Sequence, residues 1–304
     1  MIPTPFDYAR ATSLDDAVAK LKASGGRAKL IAGGHSLVPL MKFRLSEPAA
    51  LIDIARIPGL SGIREQEGRI HIGAGTVHHD VASSALLRDK CPVVADTAAQ
   101  IGDPQVRHRG TLGGSLAHAD PAADYPAVVL ALDADIHLKG PKGWRVVKAS
   151  DFFKDLFTVD MEADEIIVSV QFAPVRAAAY AKLHQRASRY AIVGVAAALD
   201  VSGGRVESAR VGLTGAGSHA TRLTAVEQAL AGQPLTPAAI GAAAERAGAG
   251  LTHVNADIHA SEDYRRAMVP VFTRRALEGA LRRATASTAG RQRSGPSSSG
   301  TRWR

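Results

Sequence analysis

The sequence is poor in cysteine. Cys91 is the only cysteine among 304 residues, so the chain cannot form an internal disulfide. An iron–sulfur cluster usually takes about four thiolate ligands, which a single cysteine cannot supply. Cys91 precedes Pro92 and is predicted to be a small buried residue. Any iron–sulfur chemistry must therefore reside in another chain.

Long hydrophobic runs and a leader-like N-terminus are also missing. No stretch approaches the roughly 18–20 apolar residues that span a bilayer. The opening MIPTPFDYAR has no basic region followed by an apolar one. Hydrophobic residues make up 46% of the chain and charged residues 22%, as in soluble globular proteins. We expect a cytoplasmic globular protein of two or three domains.

The positive charge is concentrated at the C-terminal end. Of the net charge of +8, six arginines and no acidic residue fall within 281–304, which leaves +2 for the first 280 residues. No basic stripe with interleaved aromatic residues occurs, which argues against nucleic-acid binding. The Ser-, Gly-, Pro- and Arg-rich segment 286–304 is predicted to be a disordered basic tail.

Several common nucleotide-binding and catalytic motifs are absent. GxGxxG is not completed, because His78 stands where the third glycine would follow Gly73 and Gly75, and there is no GxxxxGK(S/T). The metal motifs HExxH and CxxC and the GxSxG nucleophile elbow are missing as well. These absences argue against a Rossmann dinucleotide site, a P-loop, a metal centre and a serine hydrolase.

Hydrophobic periodicity predicts a mixture of short strands and helices. The helices are expected at Ser13–Ser24 (with Ser13 as its N-cap), Val77–Leu87, Pro92–Ile101, Ala127–Leu132, Thr224–Ala231, Pro237–Ala247 and Glu262–Arg283. Single strands are expected at Lys29–Ala32, Leu51–Ile54, Arg69–Gly73 and Glu165–Phe172. Two hairpins are predicted where glycine-rich turns join apolar runs, at 134–147 and 191–213. A domain boundary is expected near 174–178.

Two Gly-Gly segments are the best candidates for a ligand site, namely Ala32–Ser36 (AGGHS) and Thr111–Ser115 (TLGGS). Glycine lets the backbone approach a ligand closely, and successive N–H groups can form a concave nest for phosphate oxygens. Ser36 and Ser115 would each add a hydroxyl donor. Two nests could hold the two phosphates of one diphosphate, although either pair alone is more often an ordinary turn.

The sequences around these segments carry a longer resemblance. KLIAGGHSLVPLMKFRL is followed further along by IGDPQVRHRGTLGGSLAHADPAADYP. With the opening IPTPFDY and the later SEDYRRAMVPVFTRRAL, this pattern resembles the FAD-binding medium subunit of the xanthine dehydrogenase and aerobic carbon monoxide dehydrogenase family of molybdenum hydroxylases. The resemblance extends from about Ile2 to about Ala284.

The resemblance implies an α+β fold. Residues 1–175 would form a two-subdomain FAD-binding fold of the PCMH or vanillyl-alcohol-oxidase type, with subdomains of about 1–58 and 59–175. Residues 176–285 would form a C-terminal α+β domain with a small antiparallel sheet, and the tail 286–304 would follow it.

The resemblance also implies which residues bind FAD. No metal site and no residue for substrate hydroxylation is expected in this chain. Ser115 departs from the family, where asparagine is usual, and keeps a donor with a shorter reach. The residues expected to bind the cofactor are Leu30, Ile31, Ala32, Gly33, Gly34, His35, Ser36, Leu37, Ile101, Thr111, Leu112, Gly113, Gly114, Ser115, Asp124, Ile167, Lys182 and Tyr190.

Five of these residues have individual roles by resemblance. Asp124 would accept hydrogen bonds from ribityl or ribose hydroxyls, because a carboxylate has several acceptor sites. Ile101 would pack on the flavin side and Ile167 would contact the cofactor. Lys182 would lie near the isoalloxazine as a cation that stabilises anionic reduced flavin, and Tyr190 would cover the ring. The residues alone also allow Asp124 as a helix cap, Lys182 as a solvated strand residue and Tyr190 as core.

The implied function is electron transfer within a three-part assembly. A large subunit would carry the molybdenum cofactor and hydroxylate the substrate, and a small subunit would carry two 2Fe–2S clusters. This chain would take the electrons onto FAD and pass them to quinone, NAD or another acceptor. The assembly would be a dimer of heterotrimers, cytoplasmic or at the inner face of the membrane. The substrate and the acceptor stay open, with carbon monoxide as one candidate substrate.

Two alternatives come from other features. A free-standing FAD-dependent oxidase is suggested by His35, because Gly-Gly-His resembles loops in which a histidine is bonded to the flavin. A basic nucleic-acid-binding protein is suggested by the net charge alone.

Overall fold

The structure, a computed structural model, describes residues 2–293, with side chains described as far as Thr285. The first subdomain contains β1 (Asp7–Arg10), α1 (Leu14–Ala23), β2 (Ala28–Ile31), α2 (Leu37–Lys42) and β3 (Ala50–Asp53). Its three strands form a parallel sheet in the order β1-β3-β2. The predicted strands at Lys29–Ala32 and Leu51–Ile54 correspond to β2 and β3, each shifted by one residue.

Helix α1 begins and ends as the sequence predicts. The Ser13 hydroxyl accepts a hydrogen bond from the Asp16 N–H at 3.1 Å, which satisfies one donor of the first turn. Gly25 and Gly26 follow the helix with φ of +57° and +81°. These left-handed values turn the chain away from the helix and into β2.

The second subdomain is built on a five-stranded antiparallel sheet. Its elements are β4 (Ile63–Gln66), β5 (Arg69–Gly73), α3 (His78–Ser83), α4 (Ala85–Lys90), α5 (Pro92–Ala99), α6 (Pro104–Arg107), α7 (Leu112–His118), α8 (Tyr125–Ala131), β6 (Asp135–Gly140), β7 (Gly143–Lys148), α9 (Ala149–Phe152), β8 (Phe153–Asp155), β9 (Thr158–Val159) and β10 (Ile166–Phe172). The sheet order is β4-β5-β10-β6-β7, so the last strand of the subdomain lies at its centre. Strands β8 and β9 form a separate small hairpin.

The predicted helix over Val77–Leu87 is two helices in the structure. Ser84 has φ −61° and ψ +117°, which is extended backbone, and it separates α3 from α4. Its hydroxyl accepts a hydrogen bond from the Leu87 N–H at 3.3 Å and so caps α4. Serine hydroxyls compete with helical hydrogen bonds in this way. The prediction of one continuous helix is therefore wrong.

The C-terminal domain packs helices on a four-stranded antiparallel sheet of order β11-β12-β13-β14. Its elements are β11 (Ala178–His184), β12 (Ala191–Ser202), β13 (Arg205–Thr214), β14 (Thr221–Arg222), α10 (Thr224–Leu230), α11 (Pro237–Ala244), a 3₁₀ turn (Glu245–Gly248) and α12 (Glu262–Arg293). Both predicted hairpins are confirmed, as β6–β7 and β12–β13.

Helix α12 continues further than predicted. The sequence predicts its end at Arg283 and disorder from residue 286, whereas the helical backbone runs to Arg293. Residues 284–293 contain three alanines and no proline, which favours this continuation. The remainder of the predicted tail, 294–304, lies outside the described residues. No described helix, within 2–293, is both long and apolar enough to cross a membrane.

The two domains have separate hydrophobic cores that meet along α8. This helix is buried over its whole length and packs against β12 and β13. A Cβ atom on Gly212 would lie 2.2 Å from the Ala127 carbonyl oxygen, so only glycine allows this approach. Arg283 adds a second link, because it donates hydrogen bonds to the Ala178 carbonyl and the Asp96 carboxylate.

Candidate functional site

The candidate site is a cleft of about 720 Å³ that all three parts of the chain line. The first subdomain contributes the β2–α2 connection, and the second contributes the start of α7 and strand β10. The C-terminal domain contributes the turn between β11 and β12. Of the residues predicted to bind the cofactor, all except Leu112 and Lys182 line this cleft.

The first Gly-Gly segment presents free backbone donors to the cleft. Within the described residues, the N–H groups of Gly33, Gly34, His35 and Ser36 make no hydrogen bond. Gly34 has φ of +74°, a left-handed value that glycine adopts without strain. Successive N–H groups around such a residue form the anion-binding nest that the sequence predicts.

The second Gly-Gly segment is different, because it is the first turn of α7 rather than a loop. Leu112 and Gly113 donate their N–H groups to carbonyls of the turn 74–76 at 3.0 and 2.8 Å. Gly114 donates to the hydroxyl of Thr111, the N-cap, at 3.1 Å. The prediction that this segment forms a second nest of free amides is therefore wrong. What it offers the cleft is a helix N-terminus and side-chain hydroxyls.

Ser115 supplies one of these hydroxyls. It lines the cleft, and its side chain makes no hydrogen bond within the described part of the chain. Leu112, by contrast, is 2% exposed and packs in the core of the second subdomain. The sequence cannot separate the two, because a helical turn sends neighbouring side chains in different directions.

Glycines in and beside the two segments also allow close backbone packing, and the contact of Gly33 joins the two subdomains. A Cβ atom on Gly33 would lie 2.2 Å from the Arg109 carbonyl oxygen, and one on Gly113 would lie 2.5 Å from Ala74 Cβ. On Gly110 it would lie 2.6 Å from His78 Nε2. These glycines therefore permit close contact between protein segments, and the first Gly-Gly segment lies against residues 109–110, directly before the second.

Asp124 lies at the cleft wall and belongs to a buried charged group. Its Oδ1 accepts a hydrogen bond from Tyr180 Oη at 2.5 Å. Its Oδ2 pairs with Lys182 Nζ at 3.0 Å, and the two side chains are 5% and 2% exposed. Lys182 Nζ also donates to the Gln100 and Arg189 carbonyls at 3.0 and 2.8 Å.

This arrangement decides between the roles that the residues alone allowed. Asp124 stands at the N-cap position of α8 but makes no capping hydrogen bond, so it is not a helix cap. Lys182 is buried behind Asp124 and is not a solvated strand residue. Burial raises the pKa of the Asp124 carboxyl above its ordinary value, although Lys182 and Tyr180 both act to lower it.

Tyr190 and His35 lie at the cleft with their side chains accessible. Tyr190 is 40% exposed and is not a core residue. Burial, followed by the charges of Asp120 and Asp124, raises the pKa of the Tyr190 hydroxyl to about 12. His35 Nδ1 lies 3.0 Å from the carbonyl oxygen of Gly33 in its own turn.

Comparison with known proteins decides the family. The model for the FAD binding domain in molybdopterin dehydrogenase matches residues 4–174, and the model for the CO dehydrogenase flavoprotein C-terminal domain matches residues 178–280. The chain belongs to the FAD-binding medium subunits of the molybdenum hydroxylases. Two curated relatives and one solved structure illustrate the match.

The carbon monoxide dehydrogenase medium chain of Hydrogenophaga pseudoflava is 40% identical over 93% of this chain and 99% of its own length. The 6-hydroxypseudooxynicotine dehydrogenase complex subunit alpha of Paenarthrobacter nicotinovorans is 39% identical over 93% and 97%. A solved structure of carbon monoxide dehydrogenase from Hydrogenophaga pseudoflava, lacking the Mo-pyranopterin moiety, superposes with a TM-score of 0.90. It shows 41% identity over 93% of this chain and 99% of that one.

The cleft of this FAD subunit fits the cofactor of its family. The free amides of Gly33–Ser36 suit a diphosphate, and the Asp124 carboxylate suits sugar or ribityl hydroxyls. Leu37, Ile101 and Ile167 give the apolar wall that a flavin ring needs. The cleft volume lies within the range of about 300–1,000 Å³ that is typical of ligand pockets.

Several residues of the FAD cleft carry no signal in the sequence. His78 is 5% exposed, and burial, followed by the charges of His35 and Arg107, lowers the pKa of its imidazole to about 4. Others come from β2, from α2 and from the connections before α6 and before β10: Lys29, Leu40, Asp103, Met161, Glu162 and Glu165.

Proposed function

We propose that this chain is the electron-transfer subunit of a heterotrimeric molybdenum hydroxylase. It would receive electrons from the 2Fe–2S clusters of a small subunit and pass them to quinone, NAD or another acceptor. The observation that carries the proposal is the cleft, which is lined both by four free backbone amides and by a buried carboxylate. Family membership supports FAD as its occupant.

FAD supplies the redox chemistry, and the residues of the chain hold it. The amides of Gly33 to Ser36 bind the diphosphate, with Ser115 as a further donor. Asp124 accepts hydrogen bonds from the ribityl or ribose hydroxyls. Lys182 would act on the flavin through Asp124, because its own donors are used within the protein. Tyr190 covers the ring from the C-terminal domain.

A division of labour between subunits is supported by the single cysteine. Cys91 is fully buried, and burial raises the pKa of its thiol to about 12. One buried, protonated thiol cannot ligate an iron–sulfur cluster. The clusters and the molybdenum cofactor therefore belong to a small and a large partner subunit, and we propose a dimer of such heterotrimers.

The substrate of the complex is selected outside this chain. Two relatives of nearly equal identity are named for carbon monoxide and for 6-hydroxypseudooxynicotine, so similarity in this subunit does not follow the substrate. Carbon monoxide is one candidate. The cytoplasmic location, with or without contact to the inner membrane face, stays a prediction.

Affinity purification of the chain from its source cells tests the proposal. We expect a large molybdenum-containing partner and a small cysteine-rich partner to co-purify, with one FAD for each copy of this chain. The complex should oxidise the substrate, and the isolated FAD-loaded chain should not. Substrate oxidation by the isolated chain would contradict the proposal.

The oxidase alternative is separated by acid precipitation of the FAD-loaded chain. If the cofactor is held only by the contacts described above, the yellow colour stays in the supernatant. Colour that remains with the precipitate would indicate a covalent bond at His35 and favour a free-standing oxidase.

A further inference from the structure

Tyr180 makes a buried contact that the roles described so far do not use. It belongs to β11 of the C-terminal domain, packs against the core of the FAD-binding domain and does not line the cleft. Its Oη donates to Asp124 Oδ1 at 2.5 Å. Burial and the neighbouring Asp124 raise the pKa of the Tyr180 hydroxyl well above its usual value, so this group is a donor.

Space for this hydroxyl is provided from the next strand. Gly194 lies on β12 opposite Lys182, and a Cβ atom there would lie 2.3 Å from Tyr180 Oη and 2.9 Å from Thr214 Cγ2. The backbone of Gly194 has an ordinary conformation, so glycine is not needed for a turn. Glycine at this position keeps the Tyr180 hydroxyl within reach of Asp124.

We propose that Tyr180 is a positioning residue for FAD binding, which fixes the Asp124 carboxylate so that its remaining lone pairs face the cofactor hydroxyls. This inference rests on the proposed contact between Asp124 and FAD. Each carboxylate oxygen accepts one hydrogen bond from the protein, one from Tyr180 and one from Lys182. A carboxylate has about four acceptor sites, so each oxygen keeps one for the ligand.

Lys182 alone does not fix this orientation. Its ammonium group spreads its three donors over Asp124 and two carbonyl groups, and a single contact leaves the carboxylate free to rotate about its Cβ–Cγ bond. The second contact, from Tyr180 to the other oxygen, defines the plane of the carboxylate. Lys182 therefore balances the charge of Asp124, and Tyr180 fixes the orientation of its carboxylate.

The first test is the Tyr180→Phe variant of the full chain, with FAD affinity measured by fluorescence titration of the cofactor-free protein. Loss of a hydrogen bond to a charged group should weaken FAD binding by a factor of about ten to one hundred. Tyr8→Phe is the matched control. Tyr8 also donates to a carboxylate at 2.5 Å, that of Asp53, but neither residue lines the cleft.

Gly194→Ala provides an independent route to the same defect. The added methyl group displaces the Tyr180 hydroxyl while leaving it chemically present. Weaker FAD binding is expected. The double variant with Tyr180→Phe should bind FAD no more weakly than either single variant, because both changes break the same contact. Thermal midpoints of the cofactor-free proteins separate this effect from loss of the fold.

The pH dependence of FAD affinity distinguishes a positioning role of Tyr180 from a purely structural one, because loss of packing alone would not change it. The Tyr180 hydrogen bond acts to lower the pKa of Asp124, so its removal should shift the acid-induced loss of FAD binding to higher pH. The other titratable groups that interact with Asp124 are unchanged in the variant: Lys182, His184, Tyr125 and Tyr190. Asp120, which acts on Tyr190, is unchanged as well.

Two outcomes distinguish failure of the positioning role from failure of the proposed function. Wild-type affinity and an unshifted pH profile in Tyr180→Phe would refute the positioning role while leaving FAD binding intact. Failure of the wild-type chain to bind FAD would refute the proposed function itself.

Discussion

At the scale of single residues, the FAD cleft is bordered by groups whose chemistry burial has changed. His78 packs its ring against Tyr125 at a centroid distance of 5.3 Å, and within the described residues its Nδ1 has no hydrogen-bond partner. Neither the ring contact with Tyr125 nor the unpartnered Nδ1 stabilises a protonated His78. The folded protein therefore holds this histidine neutral at pH values where the unfolded chain protonates it.

This predicts a pH dependence of stability. The pKa of His78 falls from 6.5 to about 4 on folding, so its contribution is full above 6.5 and is lost as the pH falls towards 4. The shift corresponds to at most roughly 3 kcal/mol. Thermal midpoints of the cofactor-free His78→Phe variant should depend less on pH between 7.5 and 4.5 than those of the wild type. The exposed neighbour, in His79→Gln, serves as control, and equal slopes for all three proteins would refute the prediction.

The role of a single residue was predictable from sequence where it depends on neighbouring residues in the chain. The Gly33-Gly34 turn and the helix cap at Ser13 depend on residues adjacent in sequence, and both were predictable. The pairing of Asp124 with Lys182 was not, because it joins a helix start in one domain to a strand in the other. Likewise nothing in the sequence around Met161 indicates that this residue lines the cleft.

At the scale of elements, the short helix α7 connects stability with the site. Its N-terminal turn carries Gly113, Gly114 and Ser115 to the cleft and is held by the Thr111 cap. The sequence indicates glycine-rich backbone here but not its helical form, because glycine lowers helix propensity. The cap and the hydrogen bonds to the turn 74–76 outweigh that preference.

Removal of this cap should therefore destabilise the element. In Thr111→Val, the Gly114 N–H loses its acceptor, at a cost of about 1 kcal/mol. We expect the thermal midpoint of the cofactor-free chain to fall by about 2–4 °C and FAD affinity to fall with it. Thr111→Ser keeps the hydroxyl and should behave like the wild type. An unchanged midpoint in Thr111→Val would show that the cap does not hold α7.

Sheet order marks the limit of sequence reasoning about elements. Glycine-rich turns identify the hairpins β6–β7 and β12–β13, because their strands are neighbours in sequence. Strand β10 instead enters between β5 and β6, far from either along the chain. That position is defined by hydrogen bonding to both neighbouring strands, which are distant in sequence.

At the scale of the whole molecule, most of the net positive charge comes from the C-terminal end of the sequence. Deletion of 286–304 removes four arginines and no acid, and lowers the net charge from +8 to +4. Among the residues that the structure describes, those lining the cleft all lie before residue 191. The number of FAD molecules bound per chain should therefore be unchanged by the deletion, with the protein concentration calculated for the loss of Trp303.

The same truncated chain tests the nucleic-acid alternative. Its binding to duplex DNA, measured at two salt concentrations, should be weak, since loss of cationic side chains removes counterion release. Strong, salt-dependent DNA binding by the truncated chain would mean that the remaining body carries a nucleic-acid site.

The contact between Gly33 and the Arg109 carbonyl has a consequence for maturation. The segment proposed to bind the diphosphate, Gly33–Ser36, belongs to the first subdomain, and the Arg109 backbone that it contacts belongs to the second. Neither subdomain can assemble the cleft before it has met the other. We therefore expect FAD to bind only after the two subdomains have docked, so that bound FAD reports a completed FAD-binding domain.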